Sequence, residues 1–329
     1  MIGEQDHRGK LNVVEAIDQA IQRTRYLLFN PVLYTKWLNF GVIIFLSVLF
    51  SGGSGLNYAY QLPSFFQGFS YEDAFFSIES YVLENLFTVL SVALPIVALA
   101  GTVMAALMYV RARGTMMVIR AVAYDDEGIG ENWEAVGTPT WSYFIFKLEL
   151  RVALIVYFIV AGMAGASLVR QQLLEDVSAE GLAVGLVVIS LVSIFVWIAY
   201  ALTMFVMHNF IAPLMFHFNF TCGEAWGRFF EIARDNVGQT MFYLLLKIVY
   251  SFIFGTISYF AVMCTCCIGG LPVVGQTILA PLYVFERAYS LYAIGSLGPE
   301  YTIVQEPPPP EPPMLPQPID APPPPNINR

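Results

Sequence analysis

The chain has 329 residues and a net charge of −9; 57% of its residues are hydrophobic and only 12% are charged. A soluble domain carries roughly a quarter charged residues, so a chain with about half that share has lipid for much of its solvent, in line with a mean hydropathy of +0.62. The acidic balance and the absence of a clustered basic face argue against a nucleic-acid partner.

Residues 1–36 are polar and mixed in charge, with no short apolar core leading to a small-residue cleavage site. The first apolar segment is therefore expected to act as an uncleaved anchor. Val13, Ile17, Ala20, Ile21, Thr24 and Leu28 recur at helical spacing and predict an amphipathic helix on the cytoplasmic side. A crossing helix needs about 20 mainly apolar residues. Spans are predicted at about 86–110, 152–169, 182–207, 241–264 and 271–290. A sixth candidate at 37–50 stops after 14 residues at Ser51-Gly52-Gly53-Ser54-Gly55, and on length alone it reads equally as a re-entrant piece.

Charge decides for six, because Lys and Arg concentrate in cytoplasmic flanks. Arg8, Lys10, Arg23, Arg25 and Lys36 precede Trp37, and none lies in Ser51–Tyr81. Arg111, Arg113, Arg120, Lys147 and Arg151 separate the second span from the third, and the next connection has Arg170 alone. The alternation predicts an all-α integral membrane domain over 37–295, in the cytoplasmic membrane with both termini inside. It is flanked by the 1–36 helix and by a disordered tail over 296–329.

The stretch Ile248–Phe285 holds 38 uncharged residues, enough for two crossings. Ile268-Gly269-Gly270-Leu271-Pro272 near its midpoint predicts the reversal. Cys264, Cys266 and Cys267 fall just before it in a C-x-C-C pattern with no histidine nearby. A zinc site favours paired C-x2-C spacing, and a redox C-x-x-C fits only as Cys264–Cys267, outside its usual βαβ setting. The pattern reads as a turn with structural cysteines; a disulfide or lipidated thiol is the next alternative. No metal or cofactor is expected.

Three cytoplasmic stretches look alike: Glu15–Phe29, Glu131–Val136 and Glu224–Gly238. Each precedes an aromatic-rich approach to a span carrying one lysine, namely Lys36, Lys147 and Lys247. A threefold repeat of collar helix plus hairpin is one reading. Its anchors would be Glu15, Lys36, Glu131, Trp133, Lys147, Glu224, Trp226 and Lys247. Chance similarity is the rival, because the middle copy is short. The lysines are expected to extend their amines to the headgroups. Thr221-Cys222-Gly223-Glu224 fits a capping box.

Little in the chain carries chemistry. None of the predicted spans has a charge at its centre, which weighs against a proton-coupled transporter or a charged-ring channel. His208 and His217 flank Pro213, where a kink is predicted; both read as packed histidines. No G-x-S-x-G, phosphate loop or H-E-x-x-H is present, so no enzyme is expected. Arg111, Arg113 and Arg120 follow the second span and either contact anionic headgroups or only obey the positive-inside rule. The aromatic segment Ser51–Ser80 reads as a partial outer lid. The tail Glu306–Arg329 holds 12 of the 20 prolines, as a spacer or as a docking segment for a protein partner.

The motifs RARG (111–114), ENW (131–133), CGEAWGRFF (222–230), TCCIGGLPVVG (265–275) and LAPLYVFERAYSLYAIGSLGPEY (279–301) resemble a family of uncharacterised bacterial polytopic membrane proteins. That family is distantly similar to the membrane domain attached to some glycerophosphodiesterases. The resemblance runs from about Val13 to Tyr301 and implies a six-helix membrane fold, with no activity or catalytic residues to transfer. The expected function is a non-enzymatic membrane scaffold in contact with lipids and a tail-bound partner; the alternative is a transporter or lipid-handling protein.

Overall fold

The computed structural model describes residues 11–49, 85–175, 179–265 and 271–305, within which every regular element is helical. In order these are α1 (Val13–Phe29), α2 (Tyr34–Val48), α3 (Leu86–Tyr124), the short α4 (Ile129–Ala135), α5 (Gly137–Glu175) and α6 (Ala179–Val206). A π-helical turn (Met207–Ile211) joins α6 to α7 (Ala212–Phe218). Then follow α8 (Cys222–Asp235), α9 (Val237–Cys264), α10 (Val274–Ile278), α11 (Ala280–Gly295) and a 3-10 turn at Pro299–Tyr301. The predicted lid, Cys266, Cys267 and the proline-rich tail lie outside the described residues.

Four stretches are long and apolar enough to cross a membrane: Phe87–Tyr124, Pro139–Gln171, Glu180–Phe218 and Val237–Ala261. Each changes character partway along. α3 has 39 residues, about 58 Å at 1.5 Å per residue, against a hydrocarbon core of about 30 Å. Its first part is exposed at Phe87, Val97 and Val103, whereas Met116, Met117, Ile119 and Val122 are fully buried. α5 reverses the order, with Tyr143 buried and Val152 to Met163 exposed. The α6–α7 helix is exposed through Leu202 and buried from Met207. The molecule thus has a packed half, from which the apolar halves of four helices project.

The expected spans at 37–50 and 271–290 are not among the four. α2 has 15 residues, about 22 Å. The later segment breaks at Leu279–Ala280 between α10 and α11, where Pro281 lacks the N–H that a continuous helix needs. α11 then buries Arg287, Ser290 and Tyr289 inside the packed half. Leu271 and Pro272 do belong to a turn: the Val274 N–H donates to the Pro272 carbonyl at 2.8 Å around Val273, whose φ of 68° is strained for a β-branched residue.

The short helices close the packed half. α1 begins at Asn12, whose Oδ1 accepts from the Glu15 N–H at 3.2 Å. Its inward face differs from the expected stripe, since Ala16 and Leu27 are buried and Ile21 is exposed. α1 packs on α11, and the Asn12 N–H donates to Ser296 Oγ at 2.8 Å. Buried Arg23 donates to the carbonyls of Val122, Ala123 and Gln305, each at 3.0 Å, and so closes the C-terminal end of α3. Burial pulls its pKa below the ordinary arginine value. α2 crosses α3 so closely that a Cβ on Gly114 would lie 2.5 Å from backbone atoms of Leu46 and Ser47; only a residue without a side chain fits there.

Candidate functional site: a cationic cavity

A cavity of about 390 Å³ opens where the exposed halves of the helices meet the packed half, between α2, α3, α5, the end of α6 and α11. Four cationic side chains face it: Arg111 from α3, Lys147 and Arg151 one turn apart on α5, and Arg287 from α11. His208, Glu286, Tyr200 and Tyr283 complete the ionisable lining, and Ile44, Met108 and Met204 are part of the apolar wall.

The sequence explains how His208 and Arg287 meet. In the π turn the Ala212 N–H bonds the Met207 carbonyl five residues back. The donor one step further on in that register would be residue 213, a proline without an N–H. The His208 carbonyl is therefore left free, and Arg287 Nη1 takes it at 2.8 Å. Arg287 Nη2 also meets the His208 ring, 2.8 Å from Nε2. A guanidinium only donates, so one of the two ring nitrogens, Nε2 at 2.8 Å or Nδ1 at 3.2 Å, presents a lone pair to it. The same turn holds Asn209, whose Oδ1 accepts from the Tyr243 hydroxyl at 3.2 Å.

The cations differ in how far the protein satisfies them. Arg111 Nε donates to the Ser47 carbonyl at 3.3 Å. Lys147 Nζ donates to the Tyr143 hydroxyl at 3.2 Å and lies 4.5 Å from the centre of that ring. Arg151 makes no hydrogen bond or ion pair among the described residues. Glu286, the one carboxylate of the lining, accepts from buried Lys247 at 3.2 Å. Lys247 is ringed by Tyr243, Tyr250 and Tyr289. Glu149, on the same helix as Lys147 and Arg151, is exposed and does not line the cavity.

The structure separates the three arginines expected to meet headgroups. Only Arg111 reaches the cavity. Arg113 donates to the Trp133 carbonyl at 2.6 and 2.9 Å and stacks on its ring. Arg120 pairs with Asp126 at 2.8 Å. These two fasten α4 to α3. The collar anchors scatter: Glu15 holds Asn12 at 2.7 Å, Glu131 is exposed, Glu224 caps α8, and Trp226 packs on Phe146 and Phe229. The lysines do not extend outward as expected. Lys36 pairs with Asp125 at 2.7 Å, Lys147 faces the cavity and Lys247 is held by Glu286. Lys36 and Lys247 thus find carboxylate partners inside the packed half. His217 is also a packed residue, bonded to the Glu300 carbonyl at 2.8 Å.

In the sequence Arg151 belongs to the basic group before the third predicted span and His208 stands beside a predicted kink, with nothing to join them. The available signal was the four-residue spacing of Lys147 and Arg151, which puts both on one helix face. Among the described residues no group of three or more His, Cys, Asp or Glu side chains is arranged to hold a metal ion.

Long apolar helices left bare around a packed, cation-lined centre define the class of helical membrane proteins. Within that class the chain belongs to a family of unknown function (DUF7544), whose model matches residues 11–293. No curated protein and no solved structure matches it. The family match carries neither the bacterial origin nor the glycerophosphodiesterase likeness that the resemblance implied.

Proposed function

We propose that this is a non-enzymatic, lipid-handling membrane protein that seats an anionic headgroup in the cavity while the attached chains lie along the exposed halves of the helices. One observation carries the reading: four cations face a single cavity whose only carboxylate among the described residues is already held by Lys247. Uncompensated buried charge is costly, and an anionic ligand removes that cost. The apolar part of the lining continues into residues such as Met104 and Leu202, which are exposed where lipid chains would lie. The scaffold alternative rests on the tail Glu306–Arg329, and nothing in the described residues favours it over the cavity.

The reading includes the finer topology: six crossings in the cytoplasmic membrane, both termini inside, with α2 and the α10–α11 pair as the short first and sixth. Its support is the gathering of basic residues in the packed half. The test is native mass spectrometry of the full chain extracted from its own membranes in mild detergent. Anionic lipid adducts that survive activation, and are lost in Arg111→Gln, are the expected result. Adducts of zwitterionic lipids alone, or none, would sink the proposal.

A further inference from the structure

We infer that the headgroup ends in a terminal phosphate carrying two or more negative charges, a phosphate monoester or a diphosphate, and that Arg151 is the side chain that reads the extra charge. This rests on the lipid-handling reading and narrows its ligand class.

The argument is a count of charges and donors. Lys247 and Glu286 cancel each other at 3.2 Å. Arg111, Lys147, Arg151 and Arg287 remain, with no other carboxylate in the lining. The three guanidinium groups stay charged in any setting, so a phosphodiester headgroup with one net charge would leave at least two of them uncompensated. A terminal monoester brings up to two charges on three oxygens, and a terminal diphosphate up to three on five.

Donor supply agrees. A guanidinium has five N–H groups in a planar fork that matches phosphate oxygens two at a time. Arg111 gives one of its five to Ser47. Arg287 directs its Nη1 and Nη2 groups to His208. Arg151 gives none to any described residue. Nine N–H groups on Arg111 and Arg151 therefore stand without a described protein acceptor beside the cavity. The two shared oxygens of a phosphodiester satisfy few of them, whereas the oxygens of a terminal phosphate or diphosphate accept from both forks. Arg151 follows Lys147 by one turn at the start of the exposed half of α5, so it stands where a headgroup sliding down between the helices first arrives.

The test measures binding to the full chain in phosphatidylcholine nanodiscs with three chain-matched probes: phosphatidylglycerol, phosphatidate and diacylglycerol diphosphate. Affinity is expected to rise in that order, by about tenfold or more between first and last, or about 1.4 kcal/mol. Arg151→Gln should bring the three within about threefold, or about 0.7 kcal/mol. Arg25→Gln, the same charge change on the exposed face of α1, should leave the order intact. Equal binding of all three by the unaltered chain overturns the inference and leaves the lipid reading standing. No binding above the phosphatidylcholine background overturns both. Inorganic pyrophosphate is the last arm: if it binds as tightly as the diphosphate lipid, the terminal-phosphate chemistry stands and the lipid source falls. Should Arg151→Gln fail to fold, the order among the probes on the unaltered chain still decides.

Discussion

The two halves of the molecule use the same helices to opposite ends. In the packed half, α3 buries Met116, Ile119 and Val122, Gly114 admits the backbone of α2, and arginines close off carbonyls. In the projecting half, α3 presents Phe87, Val97 and Val103, and Gly101 has nothing near it. The residue types hardly differ; what differs is whether another helix or a lipid chain supplies the contacts. Gly114 is therefore structural below the cavity, whereas Gly101 above it stands bare.

Five substitutions sharpen that contrast, and any of them could break it. The largest effect is expected for Gly114→Ala, which sets a methyl group against backbone rather than a flexible side chain. A loss of about 3 kcal/mol is anticipated, read as a fall in the melting temperature of the detergent-solubilised protein. Arg23→Ala should follow, at about 2 kcal/mol, because the carbonyls of Val122 and Ala123 lose a buried charged donor. Proteolysis just after Gln305 should quicken in that variant, since Arg23 also holds the Gln305 carbonyl.

Thr221→Ala should cost about 1 kcal/mol through loss of the α8 cap. The Glu224 carboxylate is held below its usual pKa first by the Thr221 backbone N–H and then by the Thr221 hydroxyl. Its contribution is complete above the ordinary value of about 4.3 and disappears as pH falls through the depressed one. Melting curves across that acid range should show a slope that Glu224→Gln removes. The smallest change is expected from Gly255→Ala on α9, where an added Cβ meets nothing within 4 Å. A clear loss of stability there would mean that this part of the projecting half packs against a second copy of the chain.

Much of this was legible in the sequence. Hydropathy gave the four long helices, and the Thr221–Glu224 spacing gave the cap, because both are local properties. The depth to which the helices continue past the membrane was harder to read: Met116 and Val97 are equally apolar in sequence, and only tertiary packing tells core from lipid face. The arginines of α3 illustrate the same limit. Arg111 and Arg113 are two residues apart, so a helix sends them in different directions, one to the cavity and one to Trp133. The cavity itself joins α2, α3, α5, α6 and α11, and no spacing rule spans such distances. The meeting of His208 and Arg287 needed a π turn whose single added residue leaves little mark on composition, although Pro213 five positions on was a hint.

The bond between the Asn12 N–H and Ser296 Oγ joins positions 284 residues apart, and Arg23 with Gln305 makes a second stitch at the same corner. At 5–20 residues per second, a ribosome needs about 15 to 60 s to travel between the two ends of the first stitch. Through that interval α1 has been synthesised but its seat on α11 has not. The buried side of α1, with Val13, Leu27 and Leu28, stays open to chaperones and proteases until α11 has been made. Docking of α1 therefore waits for α11, and a ribosome stalled before Ser296 leaves a chain in which α1 has nowhere to dock.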